Sequence, residues 1–258
     1  MRPGIEALSG LPLFRPFDAK LLQQLNELAD LARIGPGETL FEEGDRRGEL
    51  NILTSGYVMT TQAQPEGGEA ITDVIAPVRP LAFASALLDR PATVGARTVT
   101  SVRLIIIPVA ALQAMIAAEP RLGLPFLERA LSELHETGLE VARLKLRSSA
   151  QRLAAFLVDL FDQPDVAPAR FALPYEKRFV AGKIGCSQEN LSRAFAALRR
   201  IGVETRQGSV MVGDVAALRA FARLPDRQRR RNGPAAGTGR RHAVDAADGV
   251  TAPAAESP

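Results

Sequence analysis

Residues 174–202 read PYEKRFVAGKIGCSQENLSRAFAALRRIG and predict two short helices joined by a tight turn. Gly185 marks the turn, because only glycine adopts a left-handed backbone conformation without strain. Ser187 follows as an N-cap, whose side-chain oxygen can accept from a free N–H group of the second helix. The apolar residues of that helix fall at helical spacing and predict one buried face: Leu191, Ala194, Phe195 and Leu198.

The opposite face of the second helix, predicted over 187–200, carries short or polar side chains. They fall at i, i+3, i+4 and i+7: Glu189, Ser192, Arg193 and Ala196. An acid, a hydroxyl and an arginine near the start of an exposed helix suit the base edges of a DNA major groove. The alternative is a solvated face on which Glu189 interacts with the helix dipole. Residues 205–212 (TRQGSVMV) predict a hairpin turning at Gln207–Gly208, which would form a wing.

The composition limits the classes of protein and site. A chain of 258 residues suggests one to two domains. Its single cysteine, Cys186, excludes a disulfide framework and any iron–sulfur cluster held by several cysteines of one chain. The N-terminus lacks the apolar run of a secretory signal, and the most apolar stretch, 104–118, is interrupted by Pro108 and Gln113. We therefore expect a cytoplasmic protein with no membrane partner.

Charge is distributed unevenly along the chain. Residues 1–146 contain 14 basic and 18 acidic residues, a net charge of −4. Residues 171–223 contain 9 basic and 4 acidic residues, a net charge of +5. This asymmetry predicts that nucleic acid contacts the second half.

The N-terminal part changes its hydrophobic period after the first helix. Residues 18–31 predict an amphipathic helix, whereas 38–107 break into short apolar pieces separated by Gly, Asp and Pro. Regular short strands of this kind indicate an antiparallel barrel or sandwich. Residues 109–119 predict a short helix, so the chain as a whole is predicted to be α+β.

A long helix is predicted to begin at Pro120, since proline is favoured in a first turn. Four apolar residues and one glycine of this helix are separated by 4, 3, 4 and 3 positions, the heptad spacing of a two-stranded coiled coil. They predict a dimer seam: Leu127, Leu131, Leu134, Gly138 and Val141. The alternative is a helix lying on the core of its own domain. Gly138 would allow close approach of the partner or leave room for a ligand.

Four segments of the chain follow from these patterns. Ser148 and Gln151 predict a capping box that restarts a helix, which places a domain boundary and hinge near Arg147. The tail has few large apolar residues and no periodicity, and is predicted to be disordered. The predicted segments are an effector-sensing domain (1–119), a dimerisation helix (120–147), a DNA-binding domain (148–223) and the tail (224–258).

Together these parts resemble the Crp/Fnr family of bacterial transcription regulators, over about residues 10–223. The segments that carry the resemblance are PGETLFEEGD (36–45), LNILTSGYV (50–58), FASALLDRPATVGA (83–96), QRLAAFLVDL (151–160) and GCSQENLSRAF (185–195). The resemblance implies an antiparallel β-roll of jelly-roll type, a dimerisation helix and a winged helix-turn-helix. It also implies a homodimer that binds double-stranded DNA and contacts RNA polymerase.

The resemblance also locates an effector site. Cyclic-nucleotide-binding members hold the phosphate with a Gly-Glu pair and an Arg-Ser pair, which correspond here to Ala84-Ser85 and Arg90-Pro91. Thr137 falls where such members contact the base. Arg90 keeps the family's arginine, but Ser85 replaces the glutamate and so removes its carboxylate. Pro91 replaces the serine and supplies neither a hydroxyl nor an N–H group. We therefore predict that cAMP is not the effector.

Other sensors of the family leave two alternatives open, a haem-based gas sensor and a degenerate cyclic-nucleotide binder. Haem needs axial ligands such as His, and the chain offers His135 and His242. The chain lacks both the Gly-Glu pair of the cyclic-nucleotide binders and the cysteines that hold an iron–sulfur cluster. In this respect it resembles the nitric-oxide and nitrate-respiration regulators of the family.

The resemblance extends to the DNA-reading residues. Glu189, Ser192 and Arg193 resemble the Glu-x-x-Ser-Arg pattern that FNR-like members use on a TTGA-type half-site. Gln188 stands where CRP-like members have arginine. Basic residues outside this face are expected to contact phosphates: Lys177, Arg199, Arg200 and Arg206.

Two functions of other classes compete with DNA binding, namely docking of a protein partner and catalysis. A winged-helix protein that docks a protein partner would show no salt-dependent affinity for DNA. An enzyme is not indicated, because the chain lacks a Gly-rich phosphate loop, HExxH and Gly-x-Ser-x-Gly.

Overall fold

Two four-stranded antiparallel sheets form the N-terminal half of the computed structural model, which describes residues 1–160, 169–206 and 209–222. The strands in chain order are β1 (Asp30–Ile34), β2 (Thr39–Phe41), β3 (Glu49–Ser55), β4 (Val58–Ala63), β5 (Glu69–Ile75), β6 (Arg79–Leu81), β7 (Gly95–Thr98) and β8 (Val102–Pro108). One sheet has the order β1-β8-β3-β6 and the other β2-β7-β4-β5. This confirms the predicted antiparallel β-roll.

The first sheet is buried on both faces, which explains why its central strands have nearly continuous apolar sequences. Leu53 and Leu104 lie in a cluster between the two sheets, together with Val58 and Ala96. The alternate residues of β3 and β8 face a second cluster, which contains residues of the flanking helices. Complete burial of one such side chain stabilises the fold by about 1.5–3 kcal/mol.

Five helices accompany the sheets: α1 (Ile5–Ser9), α2 (Ala19–Leu28), α3 (Phe83–Leu87), α4 (Val109–Ala118) and α5 (Leu124–Leu146). The prediction that the first amphipathic helix extends to Leu31 was wrong. From Asp30 the chain pairs with β8 as strand β1, because main-chain hydrogen bonding in the sheet overrides the helical spacing of Leu31 and Ala32. The long helix begins after a 3₁₀ turn, Pro120–Gly123.

The described part of the C-terminal half contains a three-stranded sheet and four helices: α6 (Ser149–Leu160), β9 (Ala169–Ala172), α7 (Lys177–Lys183), α8 (Gln188–Leu198), β10 (Val203–Arg206), β11 (Ser209–Val212) and α9 (Val215–Ala222). The strand order is β10-β11-β9. The predicted capping box is present, since Gln151 N donates to Ser148 Oγ at 3.3 Å and Ser148 N donates to Gln151 Oε1 at 3.1 Å.

The predicted wing corresponds to β10 and β11, although β10 begins two residues earlier than expected. The predicted turn at Gln207–Gly208 and the tail (224–258) lie outside the described residues. The described residues, up to Ala222, pack as one unit. No helix in the described ranges is both long and apolar enough to cross a bilayer.

Candidate nucleic-acid interface

Helix α8 presents the residues that were predicted to read DNA bases. Its apolar residues Leu191 and Leu198 are buried, whereas the other face is open to solvent. The exposed residues there include four of the predicted set: Gln188, Glu189, Ser192 and Arg193. The structure therefore places these four side chains together on the first two turns of one exposed helical face.

The turn before α8 has the predicted local geometry. Gly185 has φ +65°, a left-handed conformation that favours glycine. A Cβ at this position would also lie 2.7 Å from Leu144 Cδ2 of α5. Ser187 Oγ accepts from Asn190 N at 3.2 Å, which caps the helix. Partial burial raises the pKa of the neighbouring Cys186 thiol, so this cysteine lacks the lowered pKa of a reactive thiolate.

Two of the reading residues are paired with each other. Arg193 Nη2 donates to Glu189 Oε1 at 2.6 Å, across one helical turn. Both side chains are more than 70% exposed, so the pair stabilises the helix by only about 0.3–0.5 kcal/mol. Both groups can therefore exchange this partner for a base edge at small cost. Ser192 Oγ donates to the carbonyl of Gln188 at 3.1 Å.

Three of the basic residues expected at phosphates are exposed: Lys177, Arg199 and Arg200. Lys177 begins α7, with its Nζ 5.4 Å from the ring centroid of Phe195 on α8. Arg199 and Arg200 follow α8 in a short 3₁₀ turn. Arg206 ends β10 and is paired with Ser209 of β11 in the wing ladder.

Arg152 of α6 positions the turn before the reading helix, a role that sequence reasoning did not identify. Its Nε donates to the carbonyl of Ile184 at 2.7 Å, and its Nη2 donates to the carbonyl of Gly185 at 3.0 Å. Its Nη1 donates to the carbonyl of Arg147, after the end of α5, at 2.8 Å. One guanidinium thus connects α5, α6 and the turn. No periodicity in the sequence signals these tertiary contacts.

A contact between β5 and α7 joins the β-roll to the helix-turn-helix. Lys183 Nζ donates to Asp73 Oδ1 at 2.6 Å. A Cβ at Gly182 would overlap the side chain of Ile71, so the two backbones approach closely there. The rings of Tyr57 and Tyr175 pack edge to face, 5.3 Å apart. Burial raises the pKa of Tyr175, and the charge of Asp73 raises it further.

The predicted effector residues lie in two different elements. Ala84 and Ser85 belong to α3, and Arg90 N donates to the carbonyl of Ser85 at 2.9 Å, which brings the loop positions together. Thr137 is on α5, where its hydroxyl donates to the carbonyl of Glu133 at 2.8 Å. Arg90 and Thr137 are exposed. The described residues contain no group of three or more His, Cys, Asp or Glu that could hold a metal.

The predicted dimer residues form an exposed apolar stripe on α5. The exposed fractions are 55% for Leu127, 56% for Leu131, 70% for Leu134 and 45% for Val141. A Cβ at Gly138 would meet nothing within 4 Å. The stripe is thus a row of exposed large apolar side chains on one helix, an arrangement that is seldom seen on the surface of a monomeric protein.

Comparison with known proteins agrees with this architecture. Residues 31–119 match the profile of the cyclic nucleotide-binding domain, and residues 151–221 match the Crp-like helix-turn-helix domain. The chain is 26% identical over 225 residues to the transcriptional activator protein FnrA of Stutzerimonas stutzeri, covering 84% of this chain and 90% of the relative.

Two further proteins show the same relationship. The CRP-like cAMP-activated global transcriptional regulator of Mycobacterium tuberculosis is 25% identical over 222 residues, 84% of this chain and 99% of the relative. A crystal structure of a candidate cyclic-nucleotide-binding protein from Ruegeria pomeroyi is 28% identical, with a TM-score of 0.61, covering 86% of this chain and 97% of that one. The β-roll, the long helix and the winged helix-turn-helix, in this order and with these relatives, show that the chain belongs to the Crp/Fnr family of transcription regulators.

Proposed function

We propose that the protein is a homodimer, paired along α5, that binds a TTGA-like inverted repeat through α8. The observation that carries the proposal is the exposed face of α8, where an acid, a hydroxyl and an arginine lie on consecutive turns. Glu189 would accept from a cytosine N4, and Arg193 would donate to the O6 and N7 of a guanine. Ser192 is short enough to contact a thymine.

The two-fold symmetry of the proposed dimer accounts for an inverted repeat in the DNA site. Two α8 helices related by a dyad require half-sites about one helical turn, roughly 34 Å, apart. The α5 stripe supplies the surface that pairing would bury. Lys177, Arg199 and Arg200 are exposed outside the reading face and would contact phosphates. Such contacts raise the affinity for any DNA sequence alike. In this arrangement the protein acts in the cytoplasm and works together with RNA polymerase.

We infer that the effector is not cAMP. The loop that corresponds to the family's phosphate site offers Ser85 in place of the carboxylate and Pro91 in place of the serine. Loss of one charge-assisted hydrogen bond weakens binding by about 1.5–3 kcal/mol, roughly tenfold or more. Calorimetric detection of micromolar cAMP binding would contradict this inference, and the cAMP-activated Mycobacterium tuberculosis relative is the natural positive control.

Selection from random DNA tests the reading residues. Arg193→Ala should weaken binding by about 1–3 kcal/mol and relax the preference at one base pair of each half-site. Arg199→Ala is the matched control, because the same truncation at an exposed arginine outside the reading face should weaken all sequences alike and reduce the salt slope. Recovery of no inverted repeat, or of one that neither Arg193→Ala nor Glu189→Ala changes, would refute the assignment. If the affinity for DNA does not depend on salt concentration, the winged domain is better explained as a site that docks a protein partner.

A further inference from the structure

Helix α8 carries one more exposed residue on the same side as Glu189 and Arg193, namely Ala196. It follows Arg193 by three residues and Glu189 by seven, and these spacings place all three on one side of a helix. Ala196 is exposed, whereas the adjacent Phe195 is buried and packs in the domain. The methyl group of Ala196 therefore faces the same way as the reading residues, and core packing does not account for it.

The contacts proposed for its neighbours define where Ala196 would lie in the complex. Arg193, one turn before it, would donate to a guanine, and Arg200, one turn after it, would contact a phosphate. Side chains three or four residues apart on a helix have Cβ atoms about 5–6 Å apart. Stacked base pairs are roughly 3.4 Å apart. Ala196 would therefore lie over the groove, at a base pair next to the one that Arg193 reads.

The second half of α8 carries only short side chains on its solvent side. After Arg193, the residues of this helix that solvent reaches are Ala196 and the half-buried Ala197, because Phe195 and Leu198 are buried. A helix that presents methyl groups at this level can bring its backbone close to the base edges of a major groove. A long side chain at the same position would hold the helix away from them.

We propose that Ala196 is a fourth base-reading residue, whose methyl group packs on the 5-methyl group of a thymine beside the guanine. Alanine is one of the side chains that recognise thymine in the major groove by apolar contact with this methyl group. A TTGA-like half-site supplies such a methyl group on both sides of the guanine. One belongs to the preceding thymine, and the other belongs to the thymine that pairs with the following adenine.

The role of Ala196 rests on the proposed function, because it requires that α8 lies in the major groove. The two can nevertheless fail separately. Recovery of no inverted repeat from random DNA would refute the proposed function and, with it, the role of Ala196. Recovery of a repeat that depends on Arg193 would support the proposed function and leave the contact of Ala196 to a measurement of its own.

Replacement of thymine by deoxyuridine tests the contact, because it removes only the 5-methyl group and keeps the pairing with adenine. Each thymine of one selected half-site is replaced in turn, and the dissociation constant of the full chain is measured by fluorescence anisotropy. For the wild type we expect one replacement beside the guanine to weaken binding by about three- to fivefold, the effect of one buried methyl group. Ala196→Gly should bind the thymine and deoxyuridine duplexes equally at this position.

Two further variants assign the effect to Ala196. Ala197→Gly removes the same methyl group at the half-buried neighbour and lowers helix propensity equally, so it should keep the wild-type sensitivity to deoxyuridine. Ala196→Leu places a good helix former at an exposed position, so it should fold, but its longer side chain should weaken binding to the repeat by about tenfold or more.

Three results would overturn the proposal. The first is a wild-type affinity that no deoxyuridine replacement beside the guanine changes. The second is an equal loss of affinity on this replacement for wild type and Ala196→Gly, because the methyl group would then act through the DNA alone. The third is an Ala196→Leu variant that binds the repeat as tightly as wild type.

Discussion

Arg152 illustrates how one side chain can fix a reading helix to which it does not belong. Its guanidinium donates to carbonyls of Ile184 and Gly185 at the end of α7 and of Arg147 after α5. Carbonyls at helix C-termini lack intrahelical partners and carry partial negative charge, so a cation suits them. The same contacts hold the turn from which α8 begins. The direction of α8 therefore depends on Arg152 as well as on Gly185.

We expect Arg152→Met to lower the free energy of unfolding by about 2 kcal/mol, because carbonyls that accept from a charged donor lose their partner. DNA affinity should also fall at temperatures where the variant is folded, since the turn before α8 is no longer held. Arg152→Lys should restore only part of both quantities, because an ammonium lacks the planar fork. Urea unfolding and a DNA titration measure the two effects.

Arg33→Met is the control for Arg152→Met, since it removes an exposed arginine on β1. It should change stability by less than about 0.5 kcal/mol. An Arg152→Met protein with wild-type stability and wild-type DNA affinity would show that the hydrogen bonds to the turn have no energetic importance.

At the scale of elements, α5 has two different faces. Phe126 is buried against the N-terminal core and contacts Phe83 with stacked rings. A second face of the helix, the stripe from Leu127 to Val141, is exposed in the single chain. A helix with one face on its own domain and another unpaired apolar face can anchor its domain and pair with a second copy.

Leu134→Glu should convert the proposed dimer to monomer, because it would bury two unpaired carboxylates in a two-fold interface. Leu139→Glu is the matched control on the same helix, with the same change at a leucine outside the seam and 38% exposed. Sedimentation velocity distinguishes the two variants. Sedimentation of Leu134→Glu as the wild-type species would show that the seam is not the interface.

The sequence predicts most elements here because their signals are local. The period of α8 identifies which residues are buried, and Gly185 and Ser187 mark the turn and cap before it. The missed strands depend on distant partners: β9 pairs with β11 some 40 residues later, and β1 pairs with β8. The residues next to Asp30 in the sequence continue the helical spacing of apolar side chains. The local pattern therefore predicts that the first amphipathic helix extends to Leu31, beyond its observed end at Leu28.

The functional residues divide in the same way. Base-reading candidates follow from exposure on one helix, which periodicity reveals. Arg152 follows from tertiary contacts, because its guanidinium donates to carbonyls contributed by other elements. No neighbouring sequence pattern distinguishes it from a solvated arginine. The positioning role of Arg152 therefore required the structure.

At the scale of the whole molecule, the contact between β5 and α7 connects the acidic half to the basic half. Its members are an ion pair and a close backbone approach, Asp73–Lys183 and Ile71–Gly182. The aromatic pair Tyr57–Tyr175, from the segments before β4 and α7, joins the same two halves. The charge distribution supplies the attraction, since 1–146 carries −4 and 171–223 carries +5. The contact restricts how far α7, and with it α8, can move relative to the β-roll.

Such a restriction should favour DNA binding, because a pre-positioned helix loses less conformational entropy when it enters the groove. We expect Asp73→Asn and Lys183→Gln each to weaken binding to the selected repeat by about three- to tenfold. The double variant should bind no more weakly than either single variant, so the coupling energy should equal the effect of one single change, about 0.7–1.4 kcal/mol.

Glu69→Gln provides the control for this cycle. Glu69 is on the same strand as Asp73, but its carboxylate lies 3.8 Å from Arg97 Nη2 of β7 and so pairs within the sheet. Removing that charge should leave DNA affinity unchanged if the effect of Asp73 is specific to α7. Tighter binding by Asp73→Asn and Lys183→Gln would reverse the interpretation, because the contact would then hold α8 away from its DNA-bound position. Additive effects in the double variant would show that the two charges act separately, Lys183 through its own attraction to phosphates.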